Sequence, residues 1–144
     1  MKLVASVIIF GTLSSNLLGD ASKVEIVKGN AGYQLLRNGK PFFIKGAGGN
    51  ASKELLSRAG ANSFRTWGIE DAARDLEEGE KNHLAVTLGI WLGHVEQGFD
   101  YKNADLVKKQ LESARASVTK YKDHPSLLIW SLGNESEGGG GSVE

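Results

Sequence analysis

Apolar residues recur along this chain in two patterns: short continuous runs, and longer stretches with apolar positions three and four apart. The run Leu127 to Leu132 contains Leu127, Leu128, Ile129, Trp130 and Leu132. It is too continuously apolar for a strand with one wet face, and it suits a parallel strand covered on both sides by helices. PFFIKG (41–46), NSFRTWG (62–68) and LAVTLGIWLG (84–93) are three earlier runs of the same kind. Each is followed by a helical stretch. The first helix is expected over Ser52 to Ala59, closed by Gly60, and the second from about Asp71 to Lys81 with Asp71 as N-cap. The longest runs from about Asn103 to Tyr121, with Leu106, Val107, Gln110, Leu111, Ala114 and Val118 near helical spacing. His124-Pro125 ends it, because proline cannot continue the ladder and restricts its predecessor.

Strands alternating with helices imply parallel strands joined by right-handed crossovers, an α/β architecture. Ahead of them, Val24–Val27 and Tyr33–Leu36 are short β-prone runs, and Asn38-Gly39 is a two-residue turn leading into Pro41 to Lys45. The second and third of these runs are expected to pair as a hairpin.

Lys plus Arg and Asp plus Glu both number 17 in the 144 residues, so no basic field exists for nucleic acid or an anionic membrane. A neutral small molecule fits better. Cysteine is absent, which removes disulfides, thiol catalysis and thiolate metal sites.

Residues 1–21 resemble a secretory leader. Lys2 precedes the apolar run Leu3 to Phe10, which is too short to span a bilayer, and Gly19 and Ala21 offer a cleavage site. The expected organisation is a leader over 1–21 and one domain over 22–144, secreted or periplasmic, with no membrane association after leader removal.

In parallel α/β folds, ligands and catalytic groups gather at the carboxyl ends of the strands. The candidates there are Arg65, Trp67, Trp91, His94, Asn134 and Glu135. Glu135 is either a catalytic carboxylate or a cap on a following helix. Arg65 is expected to hold Glu135 ionised or to bind substrate, unless it is a surface cation paired with a helix carboxylate. Trp67 and Trp91 offer flat faces to a sugar ring, and His94 can hydrogen-bond a ligand hydroxyl. Trp130, inside its strand, belongs to the core; His83 and His124 lie at element edges and look structural.

No His pair has the spacing of a helical zinc motif, no Asp-rich calcium loop is present, and no G-x-S-x-G elbow exists. No metal or cofactor is therefore expected. One motif competes: Gly46-Ala47-Gly48-Gly49-Asn50-Ala51 satisfies G-x-G-x-x-A after a strand and before a helix, the context of a dinucleotide fingerprint. Against that reading, the next strand ends in Arg65-Thr66-Trp67-Gly68 with no acidic residue for a ribose, and export disfavours a nicotinamide cofactor. A glycine-rich loop that merely turns the chain is the third reading.

Together NGKPFFIKG, ANSFRTWG, GIWLGH and HPSLLIWSLGNE resemble the first four strands of a retaining glycoside hydrolase barrel of clan A, nearest to the catalytic domain of glycoside hydrolase family two. The resemblance covers about residues 24 to 137 and is most specific in IWSLGNE. It implies the N-terminal half of a (β/α)8 TIM barrel, strands one to four, preceded by a short β-hairpin. It also implies hydrolysis of O-glycosidic bonds in a carbohydrate substrate. Glu135 resembles the general acid/base, Asn134 the side chain that hydrogen-bonds the sugar 2-hydroxyl, and Arg65 the second-strand arginine supporting the catalytic glutamates.

The departure is that retaining chemistry needs a second carboxylate about 5 Å from the first, which the family places at the end of strand seven. Glu137 and Glu144 are not credible nucleophiles, and a whole barrel needs about 250 residues. The isolated chain is therefore expected to lack glycosidase activity while a parent protein has it. Leu128, Ile129 and Trp130 would form an unpaired apolar edge, through which the chain is expected to aggregate, self-associate or stay partly molten. A non-catalytic carbohydrate-binding half-barrel and a dinucleotide-binding oxidoreductase remain the rivals. The sugar, anomer and linkage are not written in this stretch.

Overall fold

The computed structural model describes residues 20–30 and 32–135. Most of the expected leader, residues 1–19, lies outside them, as do Glu137 and Glu144.

The hairpin forms where the turn chemistry requires it. β1 (Val24–Gly29) pairs antiparallel with β2 (Gly32–Arg37), Val24 opposite Arg37 through Gly29 opposite Gly32. Asn38 (φ 52°) and Gly39 (φ 73°) both take positive φ, the demand of a type I′ turn, and lead to the two-residue β3 (Lys40–Pro41). Beyond Phe42, whose N–H still donates to Leu35 O at 2.8 Å, the chain leaves this sheet.

The second sheet is parallel, in the order β4 (Gly46–Gly48), β5 (Ser63–Arg65), β6 (Ala85–Ile90), β7 (Leu127–Leu132). α1 (Lys53–Arg58), α2 (Ala72–Lys81) and α3 (Ala104–Tyr121) make the crossovers. Sequential parallel strands with a helix between each pair form a partial (β/α) barrel behind an antiparallel hairpin. Phe64, Leu76, Leu84, Val86, Leu88 and Leu127 make its core, with Trp130 packed against it as expected.

One strand departs from expectation. The apolar run Phe42–Ile44 is not the first barrel strand: Phe43 and Ile44 are 78% and 47% exposed, and the pairing falls on Gly46–Gly48 instead. Backbone proximity explains it, since a Cβ on Gly46 would stand 2.3 Å from Ser63 O. Only a residue without a side chain fits that close approach.

The helix starts follow capping rules with one exception. Ser52 Oγ accepts from Leu55 N at 3.2 Å, and Asn103 Oδ1 accepts from Asp105 N and Leu106 N at 3.1 and 3.3 Å. Asp71 occupies the N-cap position of α2 but makes no side-chain cap; its carboxylate accepts from Arg74 Nη2 at 2.7 Å instead. On β7, Leu128 is buried, so the exposed apolar side chain of that strand is Leu132 at its end.

The hairpin is fastened to the amino-terminal end of the sheet. Ser22 Oγ and Arg37 Nη2 both donate to Pro125 O, at 2.5 and 2.9 Å, just ahead of β7.

Candidate active site at the carboxyl ends of the strands

β5 ends in Arg65, and the next residues are locked in place by β6. Thr66 N donates to Thr87 O at 3.0 Å, and Gly89 N donates to the buried Thr66 Oγ1 at 3.0 Å. Arg65 is thus carried to the rim on a fixed backbone. Its guanidinium lies over the Trp67 ring, 5.4 Å from the centroid, and its Nη2 donates to Asn134 Oδ1 at 3.1 Å. An arginine backed by an indole is a rigid donor, because stacking and hydrogen bonding use different faces of the same plane. Arg65 Nε is buried and has no hydrogen-bond partner among the described residues.

β7 delivers Asn134 and Glu135 through a bend. Gly133 (φ 71°) donates its N–H to Ile90 O at 2.9 Å, and Glu135 itself has φ 50°. A left-handed glutamate is uncommon, and such residues concentrate at functional sites, where surrounding structure sustains them. The bend turns Asn134 toward Arg65 and leaves Glu135 exposed. Among the described residues no ion pair joins Arg65 to Glu135, and the arginine reaches the neighbouring Asn134.

Past β6, Trp91 and His94 stack with ring centroids 4.7 Å apart and planes 12° from parallel. His94 Nε2 is buried without a hydrogen-bond partner among the described residues. An unpaired buried ring nitrogen is costly unless a ligand or water serves it. The six sequence candidates therefore fall into two groups at one end of the sheet: Arg65, Trp67, Asn134 and Glu135, and the pair Trp91 and His94.

Beside Trp67 a groove of about 350 Å³ runs between the segments following β4 and β5, bordered by Asn50, Gly68, Glu70 and Asp75. Burial pushes the Asp75 carboxyl up, against the pull of Arg74, whose Nη2 is 3.8 Å away. Lys53 fixes the wall of this groove: its ammonium donates to Gly49 O and Ala51 O at 2.8 and 3.1 Å and sits 4.5 Å over the Phe64 ring. Among the described residues a larger cavity, about 780 Å³, lies elsewhere, between the hairpin and Phe42–Ile44. Its lining contains no carboxylate, histidine or cation.

The dinucleotide reading loses its structural premise. Gly46–Gly48 are strand residues paired with β5, not a loop following a strand, so no phosphate cradle forms there. Among the described residues no three His, Cys, Asp or Glu side chains converge as metal ligands. Gln110 Oε1 and the Tyr101 hydroxyl, which bond the Gly93 backbone beside His94, carry no signal in the sequence beyond the place of Gln110 in a helical spacing.

Residues 51–143 match the family described as glycosyl hydrolases family 2, TIM barrel domain. The β-glucuronidase of Felis catus is 28% identical over 122 residues, covering 72% of this chain and 18% of that protein. A β-glucuronidase structure from Ruminococcus gnavus superposes with a TM-score of 0.54 at 22% identity, over 79% of this chain and 22% of its own length. That of Parabacteroides merdae gives 0.54 at 22% identity, over 81% and 16%. The chain thus spans about a fifth of the length of these relatives, and the structural likenesses speak for the fold. With the parallel sheet, its helical crossovers and a family match over most of its length, the chain belongs to the TIM barrel domain family of glycosyl hydrolases family 2.

Proposed function

We propose that this chain is part of a glycosidase that hydrolyses O-glycosidic bonds with retention, and that Glu135 is its general acid/base. The observation that carries the reading is the Asn134–Glu135 pair at the carboxyl end of β7, with Asn134 tied to Arg65 at 3.1 Å. In this chemistry a carboxylic acid protonates the departing glycosidic oxygen and then, as carboxylate, takes a proton from water. Glu135 is exposed at the rim, where it can do both. Asn134, oriented by Arg65, offers its amide N–H group to a sugar hydroxyl, since its oxygen already accepts from the guanidinium. Trp67, with an exposed face, and the Trp91–His94 pair supply flat surfaces at the same end.

Retaining chemistry needs a second carboxylate about 5 Å from the first. No other carboxylate from β4 to β7 stands at the end of its strand as Glu135 does, so the nucleophile is assigned to a part of the protein beyond the described residues. The substrate class is a carbohydrate, with β-glucuronides first in the test panel because the named relatives are β-glucuronidases. Export through residues 1–21 belongs to the same proposal, as does self-association of residues 22–144 through the edge strands β4 and β7, with Phe43 and Ile44 exposed ahead of β4 and Leu132 at the end of β7.

The test is hydrolysis of a panel of aryl β-glycosides by the product of the complete gene, beside purified residues 22–144. Turnover by the former, its loss in Glu135→Gln and silence of the latter are expected. Turnover by residues 22–144 alone, or a Glu135→Gln variant as active as the parent, would overturn the assignment.

A further inference from the structure

The peptide of Gly93 is gripped on both sides. Its N–H donates to Gln110 Oε1 at 2.6 Å, from the second turn of α3, and its carbonyl accepts from the Tyr101 hydroxyl at 2.7 Å. Phe99 fills the remaining side, since a Cβ on Gly93 would stand 2.1 Å from Phe99 Cδ2. The Phe99 and Tyr101 rings pack 4.6 Å apart, tilted by 56°, and Phe99 N donates to His94 O at 3.1 Å. Gly93 lies between Trp91 and His94 in sequence, so fixing its peptide fixes the backbone that sets the two rings against each other.

This arrangement is more than a loop needs in order to turn. Both backbone polar groups of Gly93 are satisfied by side chains arriving from later in the chain, while Nε2 of the stacked His94 ring is buried with no hydrogen-bond partner among the described residues. A fully satisfied support beneath a half-exposed ring pair is the pattern of a prepared binding surface held by an outer layer. Rings fixed before a ligand arrives need not be ordered on binding.

We propose that Gln110 and Tyr101 are positioning residues: by clamping the Gly93 backbone they hold Trp91 and His94 as a prebuilt stacked pair, half-exposed at the rim, that receives a sugar ring. The ligand half of this statement rests on the glycosidase reading above; the clamp does not.

The experiment is nuclear magnetic resonance of the full chain, following the His94 ring protons, which the stacked Trp91 indole shifts upfield. Gln110→Leu keeps the bulk and removes the acceptor, whereas Gln110→Glu keeps an acceptor for the Gly93 N–H. Tyr101→Phe removes one exposed hydroxyl oxygen and leaves the ring on Phe99. Amide shifts of Val86 and Leu88 in β6 report whether the sheet is intact. The expected result is that Gln110→Leu and Tyr101→Phe move the His94 protons toward free histidine, with β6 unchanged, and that Gln110→Glu restores the parent shift. Unchanged His94 protons in Tyr101→Phe and Gln110→Leu, or equal loss in Gln110→Glu, would overturn the clamp. The two readings separate cleanly: a clamp that behaves as expected beside an active Glu135→Gln enzyme supports the positioning role and removes only the catalytic assignment.

Discussion

Arg65 Nη2 donates to Asn134 Oδ1 at 3.1 Å across a sequence separation of 69 residues, joining the ends of β5 and β7 over the strand between them. Since β5 and β7 are not neighbours in the sheet, only a long side chain can make this connection. Trp67 keeps that side chain extended by backing its guanidinium. The position of Asn134, and with it the bend that presents Glu135, is therefore set from the second barrel strand.

The bridge should appear as coupling. In a double-mutant cycle of Arg65→Met and Asn134→Ala read by urea unfolding, the interaction energy is expected at about 0.5–3 kcal/mol, the range for residues sharing a hydrogen bond. Arg65→Lys keeps the charge but not the planar fork and should recover little of it. Additive single effects would show that the contact contributes nothing to the site's order.

Close packing beneath Trp67 gives a second expectation. A Cβ on Gly48 would meet Trp67 Cη2 at 2.1 Å, the far end of a side chain, whereas one on Gly89 would meet the Trp67 carbonyl carbon and oxygen at 2.5 Å. Gly48→Ala should mainly displace the indole and change its emission. Gly89→Ala must move backbone and should cost more in urea midpoint, with overpacking of this kind costing about 1–3 kcal/mol. Equal losses in the two variants would contradict the packing described.

Acid should loosen the underside of the sheet. His124 Nδ1 accepts from Ser126 N at 3.3 Å, and burial lowers the His124 pKa below its ordinary 6.5, against the opposing pull of Glu80. The folded state thus binds this proton more weakly than the unfolded state. The stability it contributes is present above pH 6.5 and is lost as pH falls through the lowered folded value. Urea midpoints should decline over that window in the parent and more shallowly in His124→Gln; parallel profiles would rule the histidine out as the cause.

Much of this architecture was legible because local chemistry and global fold agree. Asn38-Gly39 allows the turn it makes, Ser52 and Asn103 cap the helices they begin, and the apolar run of β7, broken only by Ser131, forms a parallel strand buried at Leu127 and Leu128. The first barrel strand was not legible, since Phe42–Ile44 has the composition of a strand while Gly46–Gly48 has that of a loop. What decided it was the close approach of Ser63, which no local pattern records. Asp71 shows the same limit on a smaller scale: the capping position was evident, its capture by Arg74 was not. At the site, the place of Glu135 just past the carboxyl end of β7 was legible from the apolar run before it. That Arg65 reaches Asn134 rather than Glu135, and that Gln110 and Tyr101 converge on Gly93, depends on contacts between distant segments.

The central claim is that Glu135 protonates a leaving group, and its most direct test is the leaving-group dependence of Glu135→Gln in the product of the complete gene. Aryl glycosides of poor leaving ability need the acid, so their kcat/KM should fall by about 10²–10⁴, the usual contribution of general acid catalysis. Dinitrophenyl glycosides, which depart without a proton, should form the glycosyl-enzyme nearly as fast as in the parent. A loss that is equal for good and poor leaving groups, or absent for both, would contradict the assignment.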